Sequence, residues 1–401
     1  MVGIDKKRQV LTQDEAFEYG SIVPPIYQTS TFTFANYDSL EDRYSGKSNA
    51  DIYSRTENPT SRILEDKLAQ LEGGEAAAVF GSGMAAISST VLALVKSGDK
   101  VISVQHAYSD AYRLFEVLLK QFNISVEYVD CSDLEALDIA LSGAKLLFLE
   151  SPSSFTFETH DIRAVAQLAK KHKTITLIDN SFATPLYQNP IEHGIDLVVH
   201  SLSKYLSGHS DVVAGCTIGS EQLIKKIRDI SLSLLGGKLS AMESSLILRG
   251  MRTLELRLKA HSDAADYILT HLEKDHRITQ INFPGYSSTI HDSLAGTGGL
   301  FSIQLAEGAN IKAFCDAMTI FRLGVSWGGY ESLMLPVEVA GRIDSGPNAI
   351  NDFGVHRNTV RLFVGLEGND LLLQDILSGL EAAFSSDQEQ ISDLDNVAVN
   401  N

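Results

Sequence analysis

The sequence predicts an α/β protein: a large domain on a mixed, mostly parallel sheet, followed by a smaller C-terminal α+β domain. Three observations carry this reading. Between about residues 60 and 240, short apolar runs of strand length alternate with stretches of helical periodicity, the pattern of a parallel sheet covered by helices. The chain has 401 residues, more than a single compact core accommodates, so two domains are expected. Beyond residue 298, two runs alternate apolar and polar residues as strands do and are interleaved with two helical stretches.

Taken in order, residues 1–55 carry little regular pattern. Pro24-Pro25 and the β-branched run from Thr29 to Thr33 read as an extended arm. Ala76–Phe80 is an apolar strand, Gly81-Ser-Gly83 a turn and Met84–Val95 a helix. Val101–Val104 reads as a strand and Ala111–Gln121 as a helix. Ser125–Val129, Lys145–Glu150 and Thr174–Asp179 are further strands, the last two preceded by helical stretches. Asp196–His200 is another apolar strand. After Gly236-Gly237 one amphipathic helix is expected from about Leu239 to Leu272, with Arg249, Arg252 and Arg257 on its polar face. Gly298–Leu305 and Thr359–Val364 are strands; Ile311–Phe321 and Leu371–Phe384 are helices. The expected division is an arm over 1–56, a large domain over 57–245 and a small domain over 246–401. From about Ser385 to Asn401 the chain is acidic and Asn-rich without apolar periodicity, and reads as disordered.

Composition narrows the function classes. With 44% hydrophobic and 21% charged residues the chain is an ordinary globular one. It contains no apolar run of about 18 residues, so no membrane-spanning helix is expected. Met1–Arg8 lacks the apolar stretch of a secretory leader. Cys131, Cys216 and Cys315 fit no metal spacing or disulfide framework, so no metal site is expected and a reducing cytoplasm is the simplest compartment. A formal charge of −18 argues against nucleic acid or an anionic membrane as partner.

In open α/β sheets ligands bind beyond the carboxyl ends of the strands. Two strands deliver chemistry there: Ile178-Asp-Asn180 brings Asp179, and Ser201-Leu-Ser-Lys204 brings two hydroxyls and an amine. Pyridoxal phosphate (PLP) needs this set: a lysine to bond its aldehyde, an acid to face the pyridine nitrogen and hydroxyls near the lysine for the phosphate. Alone, Lys204 reads as a solvated loop lysine and Asp179 as a helix cap; together they point to the cofactor. Gly81-Ser-Gly-Met84, between strand and helix, offers backbone N–H groups to a phosphate, although such turns also occur without ligands. Tyr53 and Arg55, two residues apart, can grip one phosphate from an extended segment; a surface arginine is the commoner case. Tyr108 follows a strand, where an aromatic ring either stacks on a flat cofactor or packs in the core. Arg361 is a charge inside an apolar strand, suited to clamping a substrate carboxylate or to pairing with Glu367.

With these motifs in place the chain resembles the Cys/Met-metabolism PLP-dependent enzymes, from about Gly20 to Phe384. Pro24–Phe32, Tyr53–Thr60, Leu71–Ala76, Gly81–Ala86, Glu150-Ser-Pro152, Ile178-Asp-Asn180, the Lys204 segment, Leu248–Leu254 and Arg361–Glu367 carry the resemblance. It implies a PLP fold-type I enzyme and a homotetramer, a dimer of dimers with shared active sites. Lys204 would bind the cofactor covalently, Asp179 face its ring nitrogen and Tyr108 stack on the ring. Gly83, Met84, Ser201 and Ser203 would hold the phosphate, joined by Tyr53 and Arg55 from the neighbouring subunit. Arg361 would bind the substrate carboxylate, with Ser326 and Trp327 beside it. Many members carry Asn where this chain has Ser154, at the contact to the cofactor's phenolate oxygen. Many carry Tyr-Gly-Gly-Thr where it has Tyr108-Ser-Asp-Ala111; Asp110 there would either favour a distal substrate cation or cap the helix beginning at Ala111.

The activity implied is β-elimination from cystathionine or a related sulfur amino acid. Ser326–Leu333 and Glu150–Asp161 are similar to the cystathionine β-lyase branch, whereas Tyr53–Thr60 and Gly81–Ala86 are similar to the γ-synthase and γ-lyase branch. A γ-lyase or γ-synthase acting on cystathionine, methionine, an activated homoserine or a cationic guanidino-oxy amino acid is therefore the alternative. Ser154 keeps open a different class, a PLP-binding regulatory protein of low turnover.

Overall fold

The computed structural model describes residues 3–13, 18–342 and 346–385. The acidic tail, from residue 386 on, lies outside them. The first sheet has seven strands: β1 (Ala76–Phe80), β2 (Lys100–Val104), β3 (Ser125–Val129), β4 (Leu146–Glu150), β5 (Ile175–Asp179), β6 (Leu197–Ser201) and β7 (Gly215–Gly219). Their order is β1-β7-β6-β5-β4-β2-β3, parallel except that β7 runs antiparallel to both its neighbours. The central strands β4 and β7 are buried throughout, as a sheet covered on both faces requires. Six of the seven strands were legible; glycines at both ends of β7 hide it.

A second sheet holds β8 (Ile278–Asn282), β9 (Leu300–Leu305), β10 (Arg322–Leu323), β11 (Leu333–Pro336) and β12 (Thr359–Phe363), in the order β10-β11-β12-β9-β8. Only the β10–β11 pair is parallel. The arm is more regular than the sequence suggests, with helices at Ile4–Thr12 and Tyr37–Tyr44. The second of these starts on a capping box made by Asn36 and Ser39.

The helix expected from Leu239 to Leu272 is two helices, Ala241–Met251 and Leu254–Leu272. Arg257 is the reason it does not read as one polar-faced helix. Rather than facing solvent with the exposed Arg249, Arg257 is buried. It donates to Gly250 O (2.8 Å) across the break and to Tyr205 O (2.8 Å), in the turn that carries Lys204. Burial lowers its pKa to about 10, and the two carbonyls supply the acceptors a buried guanidinium needs.

A buried polar network sits beneath the end of β5. Glu72 Oε1 accepts from Asn180 Nδ2 (2.9 Å) and His200 Nε2 (2.5 Å), and Oε2 accepts from Asn189 Nδ2 (3.3 Å). His200 Nδ1 is buried without a partner, and the ring joins the network through Nε2. The compensating cation is Lys7 of the first helix, buried, donating to Pro185 O (2.6 Å) and to Asn189 Oδ1. Lys7→Met is expected to cost about 2 kcal/mol through the acceptors it strands, lowering the Tm in thermal unfolding. Lys6→Met, at an exposed neighbour, should leave it unchanged.

Candidate active site

The carboxyl ends of β4, β5 and β6 lie side by side, with Glu150 opposite Asp179 and Asp179 opposite Val199 in the registers. Asp179 is held by Ser181, whose N–H (2.9 Å) and hydroxyl (2.6 Å) both donate to Oδ1. Ser181 Oγ also accepts from Ser201 N (2.7 Å), tying the tip of β5 to that of β6. Among the described residues no donor is spent on Asp179 Oδ2, which is left to face a cation. Burial raises the Asp179 pKa, while the two Ser181 bonds and the charges of His200 and Lys204 lower it.

Lys204 follows β6 in a helical turn closed by Lys204 N to Ser201 O and Gly208 N to Lys204 O. Its Nζ donates to Ser326 Oγ (2.7 Å) and lies 5.2 Å from the centre of the Trp327 ring. Trp327 meets Tyr205 edge-on. The loop carrying Ser326 and Trp327 presses on Lys204 at Gly328, whose φ is +88° and where a Cβ would sit 2.8 Å from Tyr205 N; only glycine fits. Burial, and then the charge of Arg361, bring the Lys204 pKa down to about 8, against a smaller opposing pull from Asp179. The amine is thus within electrostatic reach of both residues expected beside it.

Arg361 lies in β12, buried, with its cation 5.0 Å from the centre of the Phe155 ring. Nη2 donates to Val325 O (2.8 Å), next to Ser326. No pair with Glu367 forms: Glu367 instead accepts from Ser332 N (2.7 Å) and Oγ (2.8 Å). Among the described residues no carboxylate meets Arg361, and burial lowers its pKa to about 10. A substrate carboxylate is the partner its chemistry asks for.

Across from β6, the Gly83–Leu94 helix starts at Ser82, whose side chain accepts from Ala85 N and whose carbonyl accepts from Ala86 N. The N–H groups of Gly83 and Met84 are the remaining first-turn donors, directed out of the helix end. A Cβ on Gly83 would lie 3.0 Å from Ser201 Oγ, so bare backbone and a hydroxyl share one cradle. Ser203 is more committed, its Oγ exchanging bonds with Ala214 O (3.2 Å) and N (2.9 Å). An N–H cradle, an amine of lowered pKa and an acid with a free oxygen fit PLP.

Tyr108 heads the Ser109–Arg113 helix, so that helix begins before Ala111 and Asp110 is not its cap. Tyr108 N donates to Glu150 Oε1 (2.7 Å) and its hydroxyl to Asp110 Oδ2 (2.8 Å). Burial and Asp110 raise its pKa. Ser154 lies alongside, its N–H donating to His106 O (2.9 Å). Tyr53 and Arg55 are not brought to Lys204 within one chain. Arg55 Nη1 donates to Ser233 O (2.5 Å) and Leu232 O (3.2 Å), and Arg55 lines a separate cavity with Glu57, Arg228 and Lys238.

Sequence reasoning missed Ser181 and Glu150 as supports of the site. Glu150 is buried and its pKa is raised well above the usual carboxylate range, by burial first and Asp179 second. Its signal was present, an acid ending a strand in the same way as Asp179. Ser181 offered no signal beyond its place two residues after Asp179. Among the described residues no cluster of metal-ligating side chains occurs, and no helix is long and apolar enough to cross a membrane.

Comparison with known proteins adds a family and relatives. The family described as "Cys/Met metabolism PLP-dependent enzyme" matches residues 8–381. The chain is similar to an L-methionine γ-lyase from Pseudomonas putida, 36% identical over 91% of this chain and 94% of that protein. It is also similar to a cystathionine β-lyase from Lactococcus lactis subsp. cremoris, 36% identical over 90% and 94%. Among solved structures, a cystathionine γ-synthase from Xanthomonas oryzae pv. oryzae superposes with a TM-score of 0.87 at 32% identity, covering 94% of this chain and 98% of the other.

Proposed function

Since the chain belongs to the Cys/Met-metabolism PLP-dependent enzyme family, we propose that it is a carbon–sulfur lyase performing β-elimination on cystathionine or a related sulfur amino acid. The observation that carries this is the Lys204 amine, its pKa lowered to about 8, set between the carboxylate-seeking Arg361 and the acid Asp179. Bound there, PLP supplies an electron sink for negative charge at the substrate Cα.

The protein's own residues do the rest. Arg361 binds the α-carboxylate through the guanidinium nitrogens not spent on Val325. Ser326 and Trp327 hold the Lys204 amine where it takes the Cα proton; a pKa near 8 leaves roughly a tenth of it neutral at pH 7. Asp179 would face the ring nitrogen and favour its protonated form. Gly83 N–H, Met84 N–H and Ser201, with Ser203 next to them, hold the phosphate. Tyr108 would stack on the ring, with Ser154 beside it. Departure of the β-thiolate leaves 2-aminoacrylate, which after release takes up water and breaks down to pyruvate and ammonia.

A γ-lyase or γ-synthase reading is favoured by the methionine γ-lyase and γ-synthase relatives and needs Lys204 to take a second proton, at Cβ. Ser154, where relatives of this kind often carry Asn, supports the low-turnover binder. Incubating the enzyme with cystathionine, cystine, methionine, homoserine esters and guanidino-oxy analogues separates the three. Pyruvate from cystathionine is the expected product; 2-oxobutyrate marks γ-elimination, and no keto acid from any of them marks the binder.

Three further points belong to the same proposal. The chain divides into an arm over 1–56, a large domain over 57–245 and a small domain over 246–401. It works in the cytoplasm as a homotetramer, and the exposed apolar side chains Ile22, Val23, Tyr37, Tyr44, Leu234 and Leu235 supply surface for such contacts. In that assembly Tyr53 and Arg55 reach the phosphate of a neighbouring subunit.

A further inference from the structure

Asp110 has two properties that a cation-selecting residue would lack. Both its carboxylate oxygens are engaged: Oδ2 accepts the Tyr108 hydroxyl at 2.8 Å, and Oδ1 is paired with Arg113 Nη2. Arg113 stands three residues on, the spacing at which helix side chains meet. The pair is neutral, so little net charge remains to attract a distant ammonium. Tyr108 is also pinned at its other end, where its N–H donates to Glu150 Oε1 at 2.7 Å. The charged groups acting on the phenol are Asp110, Arg361 and Glu150.

We propose that Asp110, braced by Arg113, is a positioning residue that fixes Tyr108 as a protonated stacking face, and that the site accepts sulfur amino acids with uncharged S-substituents alongside cystathionine. The Tyr108 proton is directed at Asp110, so proton traffic at the substrate falls to Lys204. The substrate half of this inference rests on the carbon–sulfur lyase reading; the Tyr108 half does not.

The test reads both halves. Nitration of Tyr108 by tetranitromethane, which requires the phenolate, is followed by peptide mass mapping on the full chain, with and without added PLP. The wild type should react slowly at Tyr108. Asp110→Ala should react faster, roughly tenfold for each unit by which the phenol's pKa falls. The isosteric Asp110→Asn, which keeps an acceptor but not the charge, should fall between. Wild-type rates in both variants would overturn the positioning role. In parallel, kcat/KM for cystathionine and for S-methylcysteine should drop by the same factor in Asp110→Asn. A drop confined to cystathionine would overturn the substrate half and restore Asp110 as a cation selector. If the wild type turns over neither amino acid, the lyase reading fails, and nitration still decides the role of Asp110.

Discussion

Lys204→Ala is expected to abolish turnover, by about 10⁴-fold or more, because one side chain supplies two functions that cannot be rebuilt separately. It is the covalent anchor of the cofactor and the base at Cα. Its surroundings leave no substitute: Ser326 Oγ and the Trp327 ring are the groups that meet the amine, and neither titrates as a base near neutral pH. Arg361, the next cation, has a pKa of about 10 even when depressed by burial. The fold should survive, since Tyr205 and its contact with Arg257 hold the turn independently of the lysine side chain. The check is keto-acid formation together with the visible absorbance of the lysine-bound cofactor. Activity persisting at a sizeable fraction of the wild type would place the chemistry elsewhere.

Asp179→Asn is expected to lower kcat by about 10²–10³-fold, the cost typical of removing one preorganised electrostatic partner from a developing charge. The amide keeps the shape and still accepts from Ser181, so the tips of β5 and β6 stay joined. What is lost is the negative charge that keeps the facing ring nitrogen protonated. Cofactor content should therefore stay near that of the wild type while kcat falls. A variant with normal kcat would show that Asp179 does not serve the ring.

Much of this arrangement was legible from residue order. Asp179 and Lys204 each end or follow an apolar strand, and parallel topology brings adjacent strand tips together, so their proximity followed from the alternation alone. Arg361 could be singled out because a lone charge in an apolar strand demands a partner; the choice between substrate and Glu367 needed the observation that Ser332 already occupies Glu367. Three features were not legible. Arg257 looks like one more charge on a helix surface until the break at Arg252-Thr253 turns it inward. Glu150 supports Tyr108 only because β4 and the loop after β2 meet in space. Asp110 reads from sequence as either a selector of a distal cation or a helix cap, because nothing in the sequence says that Arg113 and the Tyr108 hydroxyl reach its two oxygens. In each case the deciding contact is a partner, main chain or side chain, that sequence spacing does not specify.

The measurement that bears most directly on the central claim is borohydride reduction of the PLP-loaded protein followed by peptide mapping. The account predicts a single pyridoxyl group, on Lys204, with the same treatment of Lys204→Ala leaving the chain unlabelled. A label on another lysine, or none on the wild type, would contradict it.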